Sequence, residues 1–116
     1  MKVNILGSEW EIELRSVHED KELEAGDGYC DWTVKLIVVE KECEGTLYDM
    51  DEYVRKVMRH EIVHAYLFEC GLAECSGRTD SWAQNETMVD WLARNGPKIM
   101  KTWEEAGCLP KEADHD

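Results

Sequence analysis

The sequence predicts a small α+β domain, strands first and helices after, and three observations carry that prediction. Apolar residues alternate with polar ones at Val3 and Ile5, at Trp10, Ile12 and Leu14, and along "WTVKLIVVE" from Trp32. A period of two places one side of a strand in a core. Two stretches rich in helix formers follow, "TLYDMDEYVRKVMRHEIVHAYLFEC" and "SWAQNETMVDWLAR". At 116 residues and 43% hydrophobic content, residues 1–116 suit a single domain around one core.

Taken in order, the first two strands hold Val3 to Ile5 and Trp10 to Leu14, and the third starts at Trp32 with Trp32, Val34, Leu36 and Val38 on one face. Between them "HEDKELEAGDG" is charged and ends in glycines, the composition of a solvated connection whose last residues can take positive φ. An antiparallel three-stranded sheet is the economical arrangement. The first helix starts near Thr46, carries acids in its opening turns and meets Gly71 at its end. Ser81 suits the N-cap of a second helix. "NGP" at 95 to 97 interrupts it, and Pro97 can open a third helix running through about Glu105, so two to three helices follow the sheet.

The 13 basic and 26 acidic residues give a formal charge of -13, which repels phosphate backbones and anionic lipid. Neither nucleic acid nor a membrane is an expected partner. No apolar run approaches a membrane span, and the first residues lack an unbroken apolar core, so a cytoplasmic chain with reduced thiols is expected. The five cysteines are an odd count; Cys70 and Cys75 lack a second Cys/His pair at metal-ribbon spacing and read as small buried hydrophobes. The tryptophans read as core, and the runs "EKECE" and "KEADHD" as solvated surface.

The chemistry concentrates in "RHEIVHAYLFECG", residues 59 to 71. At about 100° per residue, Tyr53, Val57, His60, His64, Leu67 and Phe68 fall on one side of the first helix, with Val54, Glu61 and Ala65 just around from them. Histidines and a carboxylate within an apolar arc cost several kcal/mol unless something compensates them. The pattern HExxH supplies a metal: His60 and His64 stack on one helical face and present ring nitrogens to one ion, while Glu61 faces its open position and can take a proton from water there. A hydrolytic zinc site takes three protein ligands, so one more is needed. His18 lies in the charged loop and His115 beside the C-terminus; on the second helix Glu86 sits at the edge of the apolar arc, with Asp90 one turn later.

With "HEIVH" at 60 to 64 and "NETMVD" at 85 to 90, the chain resembles the gluzincins, thermolysin-like zinc metallopeptidases marked by HExxH and a later NExxxD. The resemblance implies a zincin-like fold, Zn2+ held by His60, His64 and Glu86, Glu61 as general base, and Asp90 orienting His60. Larger members have a second subdomain, for which this chain is too short, and supply a His or Tyr to the transition state that has no counterpart here; Tyr66 points away from the metal face. The size is similar to minimal gluzincins and to small HExxH proteins of phages and prophages, which for a phage protein implies the host cytoplasm. The implied function is peptide-bond hydrolysis by a zinc-activated water, on a peptide or protein substrate that could add as a strand along "WTVKLIVV". The alternative is a zinc-containing, weakly catalytic or latent binding module that contacts a host protein or other partner. In the latent form the tail would lend His115 to the zinc.

Overall fold

The structure, a computed structural model, describes residues 1–41, 49–75 and 86–111, with the side chains of residues 75, 86 and 89 left out. Thr46, Ser81, His115 and Cys43, which the sequence singles out, lie outside the described residues.

Strand β1 (Lys2–Ile5) turns back into β2 (Ser8–Arg15) through Leu6 and Gly7, both at positive φ, the geometry of a two-residue hairpin. The Gly7 amide donates to the Asn4 side chain at 3.0 Å and holds the turn. Val3, Ile5, Trp10 and Ile12 are buried as their alternation predicts, whereas Leu14 is exposed.

The sheet has four strands rather than three, in the order β1-β2-β4-β3, and it is mixed rather than antiparallel. The added strand is β3 (Gly28–Asp31), which hides in the stretch that reads as a solvated connection. "GYCD" is too short for a period to show, and none of its residues is fully buried or fully exposed. A 3-10 turn, Lys21–Glu24, precedes it. β3 pairs antiparallel with β4 (Leu36–Glu40), and β4 lies parallel to β2. Trp32 and Val34 therefore do not belong to a strand: residues 32–35 form the turn between β3 and β4, and both side chains are exposed. β4 is central, which is why Ile37, Val38 and Val39 are all buried. With partners on both sides β4 cannot accept an added substrate strand, and the edges of the sheet belong to β1 and β3.

Helix α1 (Met50–Glu69) starts at Asp49, whose carboxylate accepts from the Glu52 amide at 3.0 Å, and ends before Gly71 at φ 84°. Its buried residues are Val57, Met58, Glu61, Ile62, Ala65 and Tyr66. The inward face is thus turned from the one the sequence suggests, and His60 and His64 sit on its exposed rim. A short turn of helix, α2 (Leu72–Cys75), follows.

The expected second and third helices are one, α3 (Glu86–Ala106), which runs through Gly96 and Pro97. Proline removes one helical hydrogen bond. Packing outweighs that loss, because Ile99, Thr102 and Ala106 beyond it are buried. Just before it, the Asn95 side chain donates to the Trp91 carbonyl at 3.0 Å.

α1 lies over β3 and β4, α3 lies over β1, and the helices touch. Their junction is the buried Tyr66 hydroxyl, which is hydrogen-bonded to the Thr102 hydroxyl and donates to the Lys98 carbonyl at 3.0 Å, while Thr102 donates to the Asn4 carbonyl at 3.1 Å. Tyr66→Phe is expected to lower stability by about 1 kcal/mol in urea denaturation, the usual net worth of such a bond, without changing metal content. No described helix is long and apolar enough to cross a membrane.

Candidate metal centre

His60 and His64 are one helical turn apart on α1, and their side chains converge. The two Nε2 atoms stand 3.1 Å apart, with ring centroids 4.8 Å apart and planes at 72°. Two imidazoles on one tetrahedral zinc, each at 2.0–2.1 Å, hold their nitrogens about 3.3 Å apart. The observed 3.1 Å is a ring-to-ring hydrogen-bond distance close to that span, and both rings lie on the exposed rim of the helix. Burial, and then the neighbouring His60, lower the His64 pKa. That favours the neutral ring, the form that ligates.

Glu61 faces the other way, toward the sheet. It is 7% exposed, and no protein hydrogen bond among the described residues reaches its carboxylate. Desolvation raises its pKa, partly opposed by His60. A buried carboxylate without a partner is costly, and it persists where chemistry requires it.

A cavity of about 180 Å³ runs from Glu61 and His60 past Val57 to Gly28, Tyr53 and Asp27. The Tyr53 hydroxyl donates to the Asp27 carboxylate and closes that end. Cys30, on β3, has its thiol pushed up to about 12, first by burial and then by Glu61 and Asp31. Cys70 is free and exposed, so its reading as a buried small hydrophobe fails, and the side chain of Cys75 lies outside those described; Cys108 is free and buried.

Gly28 is the site residue that sequence reasoning missed. A Cβ there would stand 2.9 Å from Val57 Cγ1, 3.1 Å from the Val38 carbonyl and 3.3 Å from Glu61 Cγ. The edge strand and α1 come this close only because residue 28 has no side chain. The glycines of "GDG" are the visible signal, but they read as turn formers and not as a close approach.

The structure brings His60 and His64 together, and His60 and Glu61 line one cavity. Glu86 opens α3 twelve residues before Lys98, whose carbonyl meets Tyr66, a separation of about 18 Å along the helix. Its side chain lies outside those described. Asp90 is 64% exposed, and its carboxylate accepts from Arg94 Nε at 2.8 Å instead of from His60. An i, i+4 partner on its own helix holds it. His18 is exposed in the loop after β2. Among the described residues no group of three or more His, Cys, Asp or Glu side chains is placed to hold a metal ion. No protein-family model, curated protein or solved structure matches the chain.

Proposed function

We propose that the chain is a zinc-dependent metallopeptidase of gluzincin type, and the observation that carries the reading is the 3.1 Å approach of His60 and His64 Nε2 beside the buried, unpartnered Glu61. His60 and His64 would hold the ion, and Glu86, by its resemblance to the motif, completes the ligand set. When bound, zinc supplies a Lewis acid that polarises the scissile carbonyl and brings water toward ionisation at neutral pH.

The chain's own residues do the rest. Glu61, adjacent to the first histidine, takes the proton of the attacking water and passes it to the leaving amine. Partial burial of Glu61 at the wall of its cavity raises the pKa of its carboxyl and so its basicity. The outer edge of β3, unpaired among the described residues, offers main-chain hydrogen bonds to an extended substrate running past Glu61.

A second reading, a zinc-holding module that contacts a host or other partner protein without turnover, is favoured by Asp90 bonding to Arg94, which leaves His60 without the carboxylate that raises ligand basicity. Incubating the zinc form with an unfolded protein and a peptide library separates the two: cleavage supports the peptidase, and zinc without cleavage supports the module. Glu86→Ala is expected to lower zinc occupancy measured by elemental analysis, because two imidazoles hold the ion less firmly than a set completed by a carboxylate. Full occupancy in that variant moves the third ligand elsewhere, with His115 the first candidate.

A further inference from the structure

Trp32 is 49% exposed and still ordered by its surroundings. Its ring stacks on Phe68, with centroids 6.0 Å apart and planes at 24°. The turn that presents it is fixed: the Asp31 carboxylate accepts from the Thr33 amide at 3.0 Å, and the Lys35 ammonium lies 3.4 Å from Glu69 and donates to the Ser8 hydroxyl at 3.0 Å. Val34 in the same turn is 65% exposed. A rigid, half-bare indole beside a second apolar side chain is a ready surface for another ring.

Its position relates it to the metal centre. Phe68 is four residues beyond His64, so the aromatic pair lies about 6 Å further along α1. Gly28 meets Val57 and Glu61 at one end of β3, and Trp32 meets Phe68 at the other, so β3 and α1 run in the same direction. A peptide pairing antiparallel to the free edge of β3 therefore enters at Trp32, passes Glu61 and leaves by Tyr53. Its residues on the amino-terminal side of Glu61 face the indole.

We propose that Trp32 and Phe68 form a subsite for an aromatic side chain of a cationic peptide, placed on the amino-terminal side of the bond presented to Glu61; the placement rests on the metallopeptidase reading. Charge selects the occupant. At -13 the chain repels a second copy of itself and attracts a segment rich in lysine or arginine.

The test uses lysine-flanked peptides that differ only in carrying Phe or Ala at one position. Binding is measured by calorimetry on the zinc-loaded Glu61→Gln chain, and cleavage on the zinc-loaded wild type. The Phe peptide is expected to bind about tenfold more tightly. Trp32→Ala removes that preference, Trp32→Phe keeps most of it, and added salt weakens both peptides. Equal affinity for the two peptides, or a preference unchanged in a folded Trp32→Ala chain, overturns the subsite. So does a wild-type dimer that Trp32→Ala dissociates, since the face would then join copies of this chain. An aromatic preference in binding with no cleavage supports the subsite and removes the peptidase reading; cleavage with no preference does the reverse.

Discussion

Glu61→Gln is expected to reduce cleavage by about a hundredfold to ten-thousandfold, the range that a positioned general base contributes, while zinc content stays at the wild-type level. Glutamine has nearly the same shape and fills the same space against Gly28 and Val57, but it cannot take a proton. The same change is expected to leave the zinc-free chain no less stable and to add about 1 kcal/mol at neutral pH, because it removes a charge that burial disfavours and no hydrogen bond among the described residues compensates. Activity assays, elemental analysis and urea denaturation on one preparation read all three. Loss of stability in parallel with activity would make Glu61 a structural carboxylate.

Gly28→Val is expected to damage both fold and site. Its Cβ would press on Val57 Cγ1 at 2.9 Å and on the Val38 carbonyl at 3.1 Å, and a backbone carbonyl held in the sheet cannot step aside. Overpacking of this kind costs about 1–3 kcal/mol. Relief comes by moving α1 away from β3, which carries Glu61 out of its buried position. Gly28→Ala should show the same direction at smaller size. A Gly28→Val chain with wild-type stability would mean that strand and helix are not in the close register described. Gly7→Ala is the control, since nothing lies within 4 Å of its Cβ and its cost comes only from φ +90°.

The difference between these two residues shows what the sequence makes legible. Glu61 stands out because HExxH places chemistry-bearing side chains at a spacing that a helix turns into proximity, and the structure keeps that proximity between His60 and His64. Gly28 does not stand out because its role depends on what packs against it from 29 residues away in the chain. Strands β1 and β2 were readable from the alternation at Val3, Ile5, Trp10 and Ile12, but β3 was not, having only four residues and none buried. Missing β3 also gave the wrong sheet: without it, β2 and β4 look like antiparallel neighbours, and with it they are parallel.

The helices failed in instructive ways. On α1 the apolar stripe is wide enough that its centre is ambiguous by one position: Met58, Ile62 and Tyr66 join Val57 on the inward face, and His60 and His64, expected there, are turned to the exposed rim. On α3, local propensity at Gly96 and Pro97 predicts a break, and tertiary burial of Ile99 and Thr102 overrides it. One continuous helix sets its C-terminal half, not Glu86 and Asp90, against Tyr66.

The metal is the point on which every functional statement turns, and elemental analysis of the untagged protein reads it directly. About one zinc per chain is expected after remetallation and dialysis, for a single site of this kind. His60→Ala and His64→Ala should each lose it, and chelation of the wild type should lower its melting temperature to that of these variants. A wild-type chain that takes up no zinc, or a His60→Ala, His64→Ala double variant that keeps it, would contradict a metal centre between the two histidines.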